Sequence, residues 1–569
     1  MYEAIFETWL NNAVADPDLI EELKSIKEKE EEISDRFYTE LEFGTAGLRG
    51  VIGAGTNRMN VYTVGRATQA LAGYVNSVSD KPSVAIAYDS RIKSELFAIT
   101  AASVLAANGV KVYIYDELMP TPMLSFAVRQ LKCDAGIVIT ASHNPAKYNG
   151  YKAYGPDGCQ LAPDAAKYIM SLMGKIDCFK DIKTVGFEEG LKSGIIEFIT
   201  RPLIDAYLDA VEKQSVRDKD LDMSGLSVIY TPLHGTGNKP VREILERVGI
   251  KNVTVVKEQE LPDGNFPTAP YPNPEIKQPF ELALSLAKEN DADLLLATDP
   301  DADRVGIAVK DGDNFTLISG NDVGALLLAY ILERRTQNGT LPKNPVAVKT
   351  IVTTEICRKI ADDYGCTLID VLTGFKFIGE QIALLEEKDE EERYIFGFEE
   401  SYGYLPGGYV RDKDAVVASM LICEMAAYYK SKGISLLDQL DNLFKKYGYY
   451  INSQKSFAFE GQSGMQAMSK IMSALRTCPP EKIGERKVVK IEDYETSRAT
   501  DVLSGNESVI TLPKSNVIAF TLEDNSKVIF RPSGTEPKIK IYICATDAVK
   551  QAAIDKNAAL TDAAAAMMQ

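Results

Sequence analysis

A chain of 569 residues is too long for one hydrophobic core, so three or four domains are expected, and 45% apolar with 25% charged residues is ordinary for a globular protein. The net charge of −18 argues against nucleic acid and anionic membranes as partners, because both demand a basic surface. With only His143 and His234, a multi-histidine metal site is excluded, and eight cysteines without a CxxC pair exclude a zinc ribbon and suit reduced cytosolic thiols.

The N-terminus, MYEAIFETWLNNAVADPD, carries acids where a secretory signal needs a basic start and an apolar run. An acidic helix is expected from about Pro17 to Leu41, followed by the glycine-bearing run FGTAGLRGVIGAG. One unit then appears three times, beginning at Ser83, Leu226 and Pro345: an apolar strand, a polar loop, a helix closed by glycine, and a second strand. This βαβ rhythm predicts three α/β domains. From about residue 450 the pattern changes to alternating strands around the turn EDNSK, with a closing helix from about Asp547, which predicts a smaller α+β domain. The expected divisions are 1–205, 206–318, 319–450 and 451–569.

Four segments carry chemistry. In AGIVITASHNPAKYNGYKAYGPDG an apolar strand delivers Ser142 to a proline-broken loop, where α/β folds keep reactive groups. Without a GxSxG elbow, and with adjacent residues of an extended chain pointing apart, Ser142 and His143 are not expected to pair. His143 as the phosphorylated group is the alternative, and an ordinary surface loop is the bland one. In LLLATDPDADRVG, Asp299, Asp301 and Asp303 alternate beyond a strand, which in an extended segment aims three oxygen donors to one side and suits Mg²⁺. An EF-hand is excluded, because Arg304 and Lys310 stand at its glycine and closing glutamate positions. In IFGFEESYGYLPGGYVRDKDAVV, acids and a serine can bond sugar hydroxyls, while Lys413 between two aspartates reads equally as a surface ion pair. In FRPSGTEPK, a Ser-Gly-Thr turn beside Arg531 can cradle a dianion, or be a plain turn. HGTGNKP fails as a dinucleotide loop because Pro240 takes the third glycine position, and Gly174-Lys175 lacks the rest of a P-loop.

Taken together, TASHNP, DPDADR, FEESYG and RPSGTEP, with GTAGLRG and TPLHGTG, resemble the α-D-phosphohexomutase superfamily, and most closely its phosphoglucomutase and phosphopentomutase branch. The resemblance implies three similar α/β domains around a central cleft plus a smaller C-terminal α+β domain. It implies a phosphoserine at Ser142, and Mg²⁺ held by Asp299, Asp301 and Asp303 with an oxygen on Ser142. Lys152 and Lys413 become the proton-transfer lysines, with pKa values lowered by cationic neighbours. Glu399 and Ser401 grip sugar hydroxyls beside Thr373, Gly374 and Lys376. Arg531, Ser533, Gly534 and Thr535 bind the non-transferred phosphate, and Arg49, His143 and Arg304 complete the site.

The implied enzyme is a cytoplasmic phosphoglucomutase acting through glucose 1,6-bisphosphate on a small sugar phosphate, as a monomer or weak homodimer without nucleic-acid or membrane partners. A phosphopentomutase, a phosphomannomutase and a non-catalytic sugar-phosphate binder are the rivals. Two departures bear on the sugar: Phe398 replaces the usual glycine before Glu399, and the loop through Leu405 to Gly408 is extended.

Overall fold

The computed structural model describes residues 2–44, 47–459, 461–533 and 538–568, with backbone only at 461–463. The chain packs as two compact units, one of Met1–Ile318, Gly379–Tyr394 and Tyr402–Tyr428, the other of Ser319–Ile378, Ile395–Ser401 and Tyr429–Gln569.

The first unit contains two sheets built alike. In the first, the strand Ala135–Ile139 runs parallel to Ser83–Tyr88, which runs parallel to Lys111–Tyr115. On its other side lies the antiparallel strand Tyr148–Tyr154, paired in turn with Gly47–Val51. The helix Ser94–Ala107 links Ser83–Tyr88 to Lys111–Tyr115, and Gly109 at φ 78° ends it in the left-handed conformation that glycine adopts freely. The second sheet repeats the plan. Leu294–Thr298 lies parallel to Ser227–Thr231 and antiparallel to Val305–Asp311. Both Ala135–Ile139 and Leu294–Thr298 are buried at every residue, as central strands covered on two faces must be.

The N-terminal region departs from the single helix expected. It forms Tyr2–Asn12, Pro17–Ser25 and Glu30–Phe37. Asp16 caps the second helix by accepting from the amide of Asp18. Breaking the run lets both later helices turn their apolar stripes onto one core, where Trp9 lies edge-on to Phe37 at 5.9 Å and to Tyr62 at 5.5 Å.

In the second unit, Val346–Thr350 runs parallel to Thr367–Val371 and neighbours Tyr394–Glu399 on its other side. The C-terminal sheet is antiparallel, with Lys538–Asp547 between Tyr449–Ala458 and Lys527–Pro532, and Ile518–Leu522 beyond. The expected hairpin around EDNSK is thus Ile518–Leu522 with Lys527–Pro532, and the closing helix is Lys550–Ala566. Sequence reading missed the strands Tyr449–Ala458 and Arg486–Asp493 and the helix Gly461–Thr477 between them. Among the described residues, no helix is long and apolar enough to cross a membrane.

Candidate active site

Ser142 leaves the end of its strand with φ 52°, a left-handed conformation that costs a non-glycine residue about 1 kcal/mol. The chain is therefore not extended here, and the expectation that Ser142 and His143 point apart is overturned. Ser142 Oγ lies 3.2 Å from His143 Nδ1 and donates to Asp299 Oδ2 at 2.8 Å. Burial first, then Arg304 and Arg49, hold the His143 pKa well below its ordinary value, so the ring is neutral at pH 7.

The conformation is held from inside the loop by Thr140, whose hydroxyl accepts from the amide of Ser142 at 2.8 Å, and from below by Arg91. The guanidinium of Arg91 donates to the carbonyls of Ser142 and Asn144, and to those of Pro145 and Tyr148 at 3.0 Å each. Asp89, buried with it, lies 3.3 Å from its Nε. Sequence reading missed Arg91. Its signal was the DSR run just after the strand Ser83–Tyr88, the edge where α/β folds place functional groups.

The three aspartates do converge, with candidate ligand atoms within 4.8 Å of one another, but not by extended alternation. Residues 299–303 form a tight turn in which the amide of Ala302 donates to Asp299 O at 2.9 Å and Ala302 takes φ 48°. Asp299 Oδ1 accepts from the amides of Asp303 and Arg304 at 3.1 and 3.0 Å. Burial and then the two other carboxylates push Asp299 well above the usual carboxylate range. Asp301 goes the other way: burial opposes its charge, but Lys152 and Lys413 outweigh burial and lower it. Asp301 Oδ1 and Asp303 Oδ1 are buried and accept no hydrogen bond. Arg304 Nε stands 3.7 Å from Asp303 Oδ1, too far for a hydrogen bond, and carboxylate oxygens out of water without one are costly unless a cation meets them closely, so this donor set fits a hard divalent ion.

Two lysines face the same cluster. Lys152, on the strand Tyr148–Tyr154, sits 2.9 Å from Asp301 and 3.7 Å from Asp303. Lys413 Nζ lies 3.1 Å from Asp303 and is only 7% exposed, which overturns its reading as a surface ion pair. The expected lowering of the Lys152 pKa is also corrected. Burial and Lys413 do push it down, but Asp301 and Asp303 raise it above the ordinary value. Arg304 is bound to Glu275, and Arg49 stands exposed on the strand Gly47–Val51.

Glu275 ends the segment LPDGNFPTAPYPNPE, which sequence reading passed over. That segment also supplies Phe266, 5.0 Å beneath the Arg91 guanidinium, and Tyr271, whose ring lies 6.3 Å from that of His143.

In the second unit, Glu399 Oε1 accepts the amide of Gly374 at 2.7 Å, joining the two loops expected to grip a sugar. Gly374 has φ 124°, a conformation that excludes a side chain without strain. The Thr373 hydroxyl is buried without a hydrogen-bond partner, and Lys376 Nζ lies 5.1 Å over the ring of Phe377. Glu400 accepts from Thr350 and Thr353 at 3.2 and 3.4 Å, and burial followed by Glu399 raises its pKa to about 7. Ser401 follows at the end of this segment, half-buried.

Phe398, the unusual residue of the motif, is 1% exposed and stacks on Phe396 at 5.4 Å. A Cβ at Gly324 would meet its ring at 2.0 Å, so the side chain is accommodated in the interior by that glycine. Arg531 donates to the Tyr542 hydroxyl at 3.2 Å, and the amide of Ser533 donates to Lys538 O at 2.8 Å. Gly534 and Thr535 lie outside the described residues.

A strained serine on a carboxylate cluster, with cationic side chains around it and α/β sheets beneath, is an arrangement suited to phosphoryl transfer. Residues 40–178, 205–312 and 319–447 match domains I, II and III of the phosphoglucomutase/phosphomannomutase family, each described as alpha/beta/alpha. The chain belongs to this family, within the α-D-phosphohexomutase superfamily, and is an isomerase of the phosphomutase type.

Among similar proteins, a phosphoglucomutase of Staphylococcus haemolyticus is 38% identical over 512 residues, covering 89% of this chain and 90% of that one. A phosphoglucomutase of Staphylococcus saprophyticus is 39% identical over 516 residues, covering 90% and 92%. Two solved structures share the fold. A putative phosphomannomutase of Thermus thermophilus has a TM-score of 0.68 at 23% identity, with 93% and 99% of the chains covered. Parafusin, a phosphoglucomutase of Paramecium in its open form, has 0.67 at 20%, with 92% and 96% covered.

Proposed function

We propose that this chain interconverts α-D-glucose 1-phosphate and glucose 6-phosphate through a phosphoserine at Ser142 and a glucose 1,6-bisphosphate intermediate, with Mg²⁺ as its metal. The observation that carries this reading is the bond from Ser142 Oγ to Asp299, within a cluster where Asp301 Oδ1 and Asp303 Oδ1 are buried without a hydrogen bond. A phosphorylated Ser142 brings oxygens of its own to that cluster. Asp299, Asp301, Asp303 and an oxygen on Ser142 would hold Mg²⁺, and its charge would offset that gathered on the transferring group.

The rest falls to side chains. In each half of the reaction the donor O–P bond breaks and a P–O bond forms to the acceptor hydroxyl. A lysine that enters the step neutral takes the hydroxyl proton, which for Lys152 requires a metal to offset the Asp301 and Asp303 charges that raise its pKa, and the departing oxygen takes a proton from a donor at its own end. Lys152 and Lys413 serve opposite ends of the sugar. Arg49, His143 and Arg304 bind the group in transit, and the neutral His143 acts as a hydrogen-bonding partner rather than a charge. Thr373, Gly374, Lys376, Glu399 and Ser401 bind the sugar, while Arg531, Ser533, Gly534 and Thr535 keep the phosphate that stays.

In this reading the chain divides into four domains near residues 205, 318 and 450, and the enzyme works in the cytosol. The 38–39% identity to phosphoglucomutases supports glucose over mannose, and the interior position of Phe398 leaves the sugar-facing Glu399 and Ser401 as the family has them.

The test is a mutase assay with Mg²⁺ and catalytic bisphosphate on glucose, mannose and ribose 1-phosphates, each beside Ser142→Ala. Glucose turnover lost in the variant is expected. Preference for ribose 1-phosphate would move the enzyme to the pentose side, and no turnover on any sugar would overturn the reading.

A further inference from the structure

The strand that carries Lys152 also reaches the second lysine. Residues two apart on a strand share a face, so Tyr154 follows Lys152 on Tyr148–Tyr154. Tyr154 is fully buried, and its hydroxyl donates to Asp412 Oδ2 at 2.8 Å. The other oxygen, Asp412 Oδ1, accepts from the Lys413 amide at 2.8 Å and from Lys413 Nζ at 3.2 Å. Both Asp412 oxygens are thus engaged, one to the strand and one to the lysine.

The lysine stem is confined as well. A Cβ at Gly403 would lie 1.9 Å from Lys413 Cδ and 2.6 Å from its Cγ, so the glycine of the FEESYG motif is the gap through which the side chain passes. Burial and Asp412 push the Tyr154 pKa well above its ordinary value, which keeps the phenol protonated as a donor. The preceding amide, that of Arg411, is tied to Ser125 Oγ at 2.9 Å, and the following carboxylate, Asp414, accepts the Tyr207 hydroxyl at 2.9 Å.

We infer that Tyr154 and Asp412 are positioning residues for Lys413: with the gap at Gly403, they fix its amine against the aspartate cluster from the strand that carries Lys152. The inference rests on the proposed reading, in which Ser142 carries the phosphate and the two lysines serve opposite ends of the sugar. A long lysine side chain has many rotamers, and holding it in one spares that ordering cost at the moment of reaction. The consequence is selective. Loosening the tie harms the half-reaction that Lys413 serves and spares the one served by Lys152.

The experiment loads Ser142 with labelled phosphate and follows its transfer to glucose 1-phosphate and to glucose 6-phosphate separately, in single turnovers with saturating Mg²⁺. Lys413→Met first defines which transfer depends on that lysine. Tyr154→Phe and Gly403→Ala are expected to slow the same transfer by at least about tenfold while the other stays within about twofold, the size of a weakened proton transfer. Tyr207→Phe removes a buried tyrosine–aspartate bond of the same kind from Asp414, and is expected to change the ratio of the two transfers by less than about twofold.

Equal slowing of both transfers by Tyr154→Phe and Gly403→Ala, beside a selective Lys413→Met, would overturn the inference and leave the proposed function standing. If Lys413→Met itself slows both transfers equally, the assignment of the lysines fails and the inference falls with it.

Discussion

Two turns meet at Ser142 and Asp299, and the outside groups that hold them differ in kind. Each follows a fully buried parallel strand and leads into an antiparallel return, and each contains a non-glycine residue with positive φ, Ser142 or Ala302. The aspartate turn has an internal cap, Asp299 accepting two of its amides, and its next three carbonyls are taken by the amides of Thr236, Thr121 and Ala415 from three other segments. The serine turn is gripped from outside by Arg91, whose guanidinium reaches four of its carbonyls. The aspartate turn is thus fixed carbonyl by carbonyl by backbone amides, and the serine turn by one forked side chain. A nucleophile must stand clear of its own loop, so its rigidity is supplied from another strand end.

The widest test of this contrast is chemical. Ser142→Ala is expected to lower mutase turnover by on the order of 10⁴-fold or more, as loss of a nucleophile does, and to weaken Mg²⁺ binding as well, because an oxygen on Ser142 is one of the proposed ligands. Isothermal titration with Mg²⁺ checks the second half, and unchanged affinity would mean that the three aspartates hold the metal without the serine. Arg91→Lys keeps the charge but not the fork, and is expected to lower kcat by about 10²-fold with KM changed far less. Steady-state kinetics on glucose 1-phosphate would show it, and unchanged kcat would break the comparison. Asp303→Asn leaves the Asp299 cap in place, so the fold should persist while Mg²⁺ affinity falls by at least about tenfold. Equilibrium dialysis measures that loss.

The smallest expected effect concerns the second unit. Glu400 has a folded pKa of about 7 against an ordinary 4.5, so the folded state favours its proton. The stabilisation this gives is complete below about 4.5 and is lost as pH rises through about 7. Between pH 5 and 8 the cost is about 1–2 kcal/mol after allowance for its partial exposure. Glu400→Gln should flatten that part of the stability profile, and thermal unfolding across the range reads it out.

What the sequence made legible follows the same contrast. DPDADR could be read because its ligands are contiguous, although the geometry that converges them is a capped turn and not an extended run. The βαβ repeats were legible because burial on both faces writes unbroken apolar strands. Arg91, Tyr154 and Asp412 were not, since their partners lie 51 to 258 residues away and no local pattern announces such bonds. Lys413 looked like a surface ion pair for the same reason. Its neighbours in sequence are acids, and the burial that changes their meaning comes from elsewhere in the first unit. The helix expected from Pro17 to Leu41 was misjudged because two short helices and one long one share the same apolar period.

One consequence belongs to the order in which the chain is made. The first unit is discontinuous, closing only with Gly379–Tyr394 and Tyr402–Tyr428. On a ribosome the serine, the three aspartates and Lys152 emerge long before Lys413, so the nascent chain holds its acidic cluster without the second lysine for more than a hundred residues of synthesis. A chain stopped after Ile318 would carry the metal ligands but neither Asp412 nor Lys413, leaving the Tyr154 hydroxyl buried without the carboxylate it meets in the finished protein. Translation that halts early would therefore yield an incomplete first unit, not a miniature mutase.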